Sequence, residues 1–552
     1  MHKTRSRGSR LALVAFAVAF AAIWFGGCGT KSNTGFGQGS SFQGNASSSS
    51  GGSSDDGSSS SNGPIGDGGF ALITIDGDIP DRAPPPPSCK LPGLWCYQTT
   101  NCTTSLSGTV YDPAGKVPLA GVLVYAIADP SKPLDPITPG THSCSACTTQ
   151  VDNYMALAVT DVKGHFTMTG VPATTAVPIV VQAGKWRRKV TLASVTGCTA
   201  PGSTKDNAVP GNVLRLPKNH TEGDMPQMAL LTGGCDDMAC FLLNMGIDSS
   251  EFGAPPSTLN ATAAHNGGRV DVYQGNSMPL GVGGPGPSLT NGTAGNCTNT
   301  SCPLWASKSS FEYYDMAIFS CQCNEMSTVS ESAAAYTNLH DWLNEGGKVF
   351  ASHYHYTWFK NNPDPKWVAT ATWLGSSIAG GMGTYDIDTT FTKGSTFAQW
   401  MSNVGALSGN GPPPTISLSS VASSVSSVNS ATTSRWIYDP NPVVAPEAGG
   451  PTETKYLSFL TPIGGITDGG AEGGSPESPV YCGKAVFTDL HTSSGLFATA
   501  MDVPGGCKVT DLTAQQKALE YLFFDLAACV APEDKPVPMP PPNPPPPPPP
   551  PM

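Results

Sequence analysis

Four side chains have the type and spacing to do chemistry. His353 and His355 follow the apolar run Lys348 to Ser352, and Asp489 and His491 close the run that begins at Lys484. Both runs read as strands, so each i, i+2 pair is expected on one side of its strand end. Three imidazoles and a carboxylate could bind a divalent metal such as zinc, and a metal-held water could then attack a sugar, peptide or amide. The favoured structural alternative has the histidines stacking on Tyr354, Tyr356 and Trp358 and bonding loop carbonyls. Cys321 and Cys323 follow another strand near the same rim, but in an oxidising compartment they are expected to be disulfide partners, not nucleophiles.

The elements that must position these groups recur from Met225 onward. Met228 to Gly233, Arg269 to Tyr273, Tyr314 to Phe319, Lys348 to Ser352 and Lys484 to Asp489 are short strand-like runs. Asp237 to Met245 reads as a short helix. Ala333 to Asn344 carries a helical stripe of Tyr336, Leu339, Trp342 and Leu343, and Thr513 to Ala528 one of Leu519, Leu522, Phe523 and Leu526. Strands alternating with helices make an α/β three-layer arrangement over residues 225–530, and ligands of open sheets bind beyond the carboxyl ends of the strands. Residues 363–479 break the pattern with Val, Thr, Ser and aromatic runs and are expected to form a β-rich insertion over the rim. Trp358, Trp367, Trp373 and Trp436 would stack on carbohydrate if exposed, but burial is the expected fate of such rings.

Residues 89–218 alternate with period two in Leu106 to Tyr111, Gly121 to Tyr125, Leu157 to Asp161 and His165 to Met168, with a Pro113-Ala114-Gly115 turn, and read as a β-sandwich. Trp186-Arg187-Arg188-Lys189 is a basic, aromatic strand, expected to guard an edge and not to meet an acidic polymer.

Lys3, Arg5, Arg7 and Arg10 precede an apolar run from Leu11 to Phe25, so residues 1–27 read as a secretory signal peptide. The run rises about 22 Å as a helix, short of the roughly 30 Å hydrocarbon core, which favours removal over a permanent span. Removing four of the 29 Lys+Arg leaves 25 against 41 Asp+Glu, a net charge of −16. Residues 28–88 are Gly, Ser, Asn, Asp and Pro, a disordered tether with a reach on the order of 40 Å. Residues 531–552 form a Pro-rich tail, extended as polyproline II. Only 13% of the 552 residues are charged, yet 39% are hydrophobic, so real cores exist and disorder of the whole chain is excluded. The net charge of −12 argues against a nucleic-acid partner.

Cystines are the default for the cysteines beyond Cys28 in an exported chain. Six of them lie before residue 216 and can close among themselves; nine lie after it and leave one odd thiol. His142, Cys144 and Cys147 make only a weak zinc fragment, a single C-x2-C without a second pair.

Three resemblances add to this reading. Phe25-Gly26-Gly27-Cys28 resembles the lipobox of bacterial lipoproteins, which implies acylation of Cys28 and a lipid-anchored protein; ordinary signal-peptidase cleavage is the alternative. Gly29, where lipoproteins kept in the inner membrane often carry Asp, points to the outer membrane or cell surface if the source is Gram-negative. The segment "SGTVYDPAGKVPLAGVLVYA … AVTDVKGHFTMTGVPA" resembles the carboxypeptidase regulatory-like domain, a transthyretin-like sandwich without catalytic residues. "YDMAIFSCQCNE", "LHDWLNEGGKVFASHYHY" and "CGKAVFTDLHTSSG" resemble the class I glutamine amidotransferase-like superfamily, which implies a flavodoxin-like domain. On that resemblance His353 stands where the nucleophilic Cys belongs, His491 matches the family's His, and Ser493 replaces its Glu, so glutamine hydrolysis by a Cys-His-Glu triad is not expected. The expected role is therefore that of an exported, membrane-anchored lipoprotein with a non-catalytic binding or structural function at the cell envelope. Its partner would be a glycan or an envelope protein; the alternative is the metal-dependent hydrolase.

Overall fold

The first part of the chain holds seven strands: β1 (Thr103–Thr109), β2 (Leu123–Ile127), β3 (Tyr154–Val159), β4 (His165–Thr169), β5 (Thr175–Ala183), β6 (Trp186–Ser194) and β7 (Thr204–Ala208). In the computed structural model they form two sheets, β4-β1-β7 and β3-β2-β5-β6. Leu106 and Phe166 of the first sheet and Val124, Ile179 and Val181 of the second belong to one buried cluster, so the sheets share a core. The structure describes most of residues 89–535, with 84–85. Residues 1–83, 141–150 apart from Cys144, 276–294, 326–330, 443–451, 467–478, 493–508, 536–552 and a few shorter stretches lie outside the described residues. Cys28, nearly all of the tether, most of the Pro-rich tail, His142, Cys147, Cys323 and Ser493 are among the latter.

The second part is one 13-stranded sheet. Its strands are β8 (Met228–Leu231), β9 (Phe252–Gly253), β10 (Val270–Gln274), β11 (Gly295–Asn296), β12 (Met316–Phe319), β13 (Lys348–Ser352), β14 (Ala371–Ala379), β15 (Gly383–Ile387), β16 (Thr415–Leu418), β17 (Ala422–Val428), β18 (Thr433–Asp439), β19 (Glu453–Thr461) and β20 (Gly483–Thr488). The described α-helices are α1 (Met238–Asn244), α2 (Lys308–Phe311), α3 (Ala333–Asn344), α4 (Thr357–Lys360), α5 (Pro365–Val368), α6 (Thr392–Asn403) and α7 (Ala514–Ala527). The parallel strands run β10-β8-β12-β13-β20, so the order reverses between β8 and β12. Alternation decides the faces. Leu230, Ile318, Phe350 and Val486 join the cluster that holds Phe241 of α1 and Phe523 of α7, whereas Leu231, Phe319, Ala351 and Phe487 join Leu339 and Trp342 of α3 on the other side. Ser332 caps α3 and a Thr513/Gln516 capping box starts α7, where the helical stripes begin. Among the described residues no helix is long and apolar enough to cross a membrane.

Residues 363–479 differ from the expected cap. Their strand β19 pairs antiparallel with β20, so the insertion extends the main sheet. The physical reason is that β20 would otherwise present an open ladder edge. Trp358, Trp367 and Trp436 are fully buried, and the half-buried Trp373 stacks on Phe359 at 5.5 Å; these rings make core, not a platform for sugar.

The disulfides also depart from the expected partition. Cys89–Cys96 and Cys102–Cys198 close within the first part, but Cys144 bonds Cys482 and ties the β2–β3 connection to the entry of β20. The strand with the basic residues, β6, lies at the edge of its sheet as expected, and its Trp and Arg side chains make internal contacts. Trp186 packs edge-on against Phe524 of α7 at 5.8 Å, Arg187 pairs with Asp224 at 2.8 Å, and Arg188 donates to the Val213 carbonyl at 3.1 Å. Gly184, between β5 and β6, has φ +56°, and a Cβ there would stand 1.9 Å from the Ala527 carbonyl oxygen. Gly184→Ala is therefore expected to cost more than about 2 kcal/mol, because strain and backbone overlap add. A fall in the urea midpoint measures it; an unchanged midpoint would mean that the β5–β6 turn and the end of α7 part freely.

Candidate functional site

Four parallel strands end in register on one rim, since Leu231 pairs with Phe319, Phe319 with Ala351, and Ser352 with Thr488. The loops leaving them carry Asp236, Cys321, His353 and His491. The chain departs from β13 with His353 at φ +45°, a left-handed conformation that an L-residue with a Cβ adopts at a cost. That turn ends the strand and starts a 3-10 turn, His353–Tyr356, so the two histidines of this segment do not stay on one side.

His353 is turned toward Cys321 and His491. Its Nδ1 lies 3.2 Å from Cys321 Sγ and 3.1 Å from His491 Nε2. One ligand atom from each of the three residues falls within 4.8 Å of the other two, and all three residues are buried, at 0, 5 and 7% exposure for Cys321, His353 and His491. Burial, then the neighbouring His491 and His355, hold the His353 imidazole well below its usual pKa, so it is neutral at physiological pH. Tyr354 stacks on it with ring centroids 4.1 Å apart.

Behind these groups sits Asp236, which is 2% exposed. One of its oxygens accepts the Ser352 hydroxyl at 2.6 Å, and the other accepts the Thr492 N–H at 2.8 Å and its hydroxyl at 2.6 Å. A single carboxylate thus clamps the residue before His353 and the residue after His491. The loop that carries it lies flat on the Cys321 segment. The Cys235 N–H bonds the Cys321 carbonyl at 3.1 Å, and a Cβ on Gly233 would stand 2.1 Å from that same oxygen, so only glycine allows the approach.

The other two sequence candidates face elsewhere. His355 donates through Nε2 to the Ser320 carbonyl at 3.0 Å and accepts from Trp358 Nε1 at Nδ1 at 3.2 Å, which occupies both ring nitrogens. Burial lowers its pKa to about 4. Asp489 accepts the Ser424 N–H of β17 at 2.7 Å, and burial raises its pKa against the pull of Lys455. The structure therefore brings together His353 and His491 and leaves His355 and Asp489 outside the cluster. Cys321, expected in a disulfide, is a buried thiol that takes the third place. Among the described residues, Cys321, His353 and His491 are those that could hold a metal ion, as one sulfur and two imidazole nitrogens; without an ion they form a thiol flanked by imidazoles. Asp236 carried no sequence signal. Cys321 did, through its position two residues beyond a strand that ends at the rim.

No protein-family model matches the chain, and no curated protein matches it. Among solved structures, a ThuA-like protein of Bacteroides uniformis is similar over 54% of this chain and 89% of its own, at 9% identity and a TM-score of 0.27. A cohesin–X-dockerin complex of Acetivibrio cellulolyticus, a C-terminal interface mutant, is similar over 30% of this chain and 88% of its own, at 16% identity and a TM-score of 0.13. The described part of the chain is mixed α/β, built on several sheets with few helices, and its rim gathers one thiol and two imidazoles.

Proposed function

We propose that this chain is an exported lipoprotein, held at the cell envelope through Cys28, whose α/β part is a flavodoxin-like, class I glutamine amidotransferase-like domain turned from glutamine hydrolysis to binding. The transthyretin-like sandwich of the carboxypeptidase regulatory-like type packs beside it as a spacer and folding partner, and the partner at the rim is a glycan or an envelope protein. One observation carries the reading: an imidazole, that of His353, occupies the strained left-handed position directly after β13, where catalysis by the amidotransferase route needs a thiol. The strand order β10-β8-β12-β13-β20 supports the fold assignment, because it is the doubly wound order with its switch point at β8 and β12.

The test is direct. Full-length exported protein incubated with glutamine is expected to release no glutamate above the buffer rate, and it is expected to sediment with purified envelope polysaccharide or to cross-link to one envelope protein. Glutamate release at an enzymatic rate, abolished by Cys321→Ser, would sink the non-catalytic reading. A second reading, a metal-dependent hydrolase of a sugar, peptide or amide, is favoured by the convergence of Cys321, His353 and His491.

A further inference from the structure

We infer that Cys321 Sγ, His353 Nδ1 and His491 Nε2 are three ligands of a single zinc-type divalent metal ion at the carboxyl rim of the parallel sheet. The inference concerns occupancy, rests on the convergence that favours the hydrolase reading, and holds whether or not a substrate is turned over.

Proton counting speaks first. The Nδ1 atom of His353 carries either one hydrogen or one in-plane lone pair. It cannot serve both a sulfur at 3.2 Å and a nitrogen at 3.1 Å with two well-formed hydrogen bonds. A cation among the three atoms removes the conflict, since each then points a lone pair at the ion. Distances speak second. Zinc bonds of about 2.0–2.1 Å to nitrogen and about 2.3 Å to sulfur give tetrahedral edges of roughly 3.3–3.6 Å. The two contacts are shorter than that by only a few tenths of an ångström, and the ligand atoms of all three residues lie within 4.8 Å of one another, so an ion is seated by side-chain adjustment.

The chemistry of the thiol agrees. Ten cysteines among the described residues are disulfide-bonded, whereas Cys321 is a thiol placed beside two imidazoles in the same oxidised chain. A metal thiolate is a stable state for such a sulfur. The donor set, one soft sulfur and two imidazoles, suits zinc and other late first-row metals and not magnesium or calcium. Asp236 supplies the outer support that such sites need, because it fixes the strand ends next to both histidines. Three protein ligands leave one coordination position for water or for an oxygen of a bound molecule.

The test uses the full-length exported chain, stripped with a chelator and reloaded with zinc alone or with cobalt(II) alone. About one zinc per chain is expected, together with a cobalt–thiolate charge-transfer band. Cys321→Ser is expected to abolish the band, and His491→Ala to weaken zinc binding by at least about 100-fold, while His165→Ala on the exposed face of β4 changes neither. Asp236→Asn is expected to weaken zinc about 10–100-fold with the band still present. Circular dichroism identifies any variant that does not fold, and the wild-type cobalt band reports a thiolate ligand without the variants. No zinc in folded wild-type protein, or zinc binding undiminished in both ligand variants, overturns the site. Stoichiometric zinc without hydrolysis of any ester, amide or glycoside probe leaves the site standing and removes the hydrolase reading alone.

Discussion

Lys484→Met is expected to destabilise the protein by about 3–5 kcal/mol, because it removes one member of a buried four-charge network and leaves two carboxylates to share one ammonium. Lys484, on β20, is 2% exposed and its Nζ bonds both Asp525 of α7 and Glu533 beyond it. Lys393 of α6 meets the same two carboxylates, each at 2.9 Å. Glu533 also accepts the Ser458 hydroxyl at 3.2 Å, and that hydroxyl accepts from Trp436 Nε1 at 2.9 Å, so the network reaches β18 and β19. The insertion, the last parallel strand and the C-terminal helix are thereby fastened at one point. Equilibrium urea unfolding measures the loss; a shift of the midpoint worth less than about 1 kcal/mol would mean that water or a local shift compensates the stranded carboxylates.

The same network sets an acid limit. Burial pushes the Asp525 carboxyl up, but Lys393 and Lys484 outweigh it and hold the group well below the usual carboxylate range. A depressed carboxylate contributes stability that is complete above its unfolded pKa of about 3.9 and is lost as the pH falls toward the folded value. The difference between wild type and Lys484→Met should therefore be flat from pH 5 to pH 8 and shrink below about pH 4.

The helices α3 and α7 were legible because a 3.6-residue apolar stripe runs along each, and the structure adds a capping side chain at both starts. The parallel strands were legible for a related reason: buried on both faces, they read as short apolar runs such as Met316–Phe319. The rim was legible only in part. The same-side rule for i, i+2 residues holds inside a strand, but β13 ends at Ser352 and β20 at Thr488, so all four candidate side chains lie beyond the strand ends. His353 and His355 consequently point to different partners. Compartment chemistry predicted cystines and is met by ten cysteines among the described residues. It could not show that the neighbour of Cys321 is His353, since pairing is decided by where strand ends meet. Asp236 belongs to no period or motif and has meaning only through Ser352 and Thr492, 116 and 256 residues away in the chain. The insertion's pairing with β20 was hidden for the same reason, as strands of similar composition fit a separate cap or an extended sheet equally well.

Glu520→Gln is expected to stabilise the protein at pH 7, against the usual direction of core substitutions. Glu520 lies on α7, fully buried, and its carboxyl shares a side-chain hydrogen bond with Asp112, a contact that needs one of the two acids to be protonated. It faces Asp112 of the first part of the chain, whose Oδ1 accepts the Lys116 and Val117 N–H groups at 2.7 and 3.1 Å. Burial, and then the charge of Asp112, push the Glu520 pKa well above the ordinary value, while burial outweighs three backbone hydrogen bonds and the Glu520 side chain and raises Asp112 to about 6. The sign follows from linkage. A carboxyl whose folded pKa is raised binds its proton more tightly in the folded state, so its contribution is most favourable below the unfolded pKa of about 4.3 and worsens as the pH rises toward the folded value. The amide carries no such penalty and can still donate to the Asp112 carboxylate. A gain of about 1–3 kcal/mol is expected at pH 7, narrowing toward zero near pH 4, in urea titrations of wild type and variant at both pH values. A gain equal at the two pH values would assign the effect to packing, and a loss at pH 7 would mean that Glu520 is ionised and paired in the folded protein.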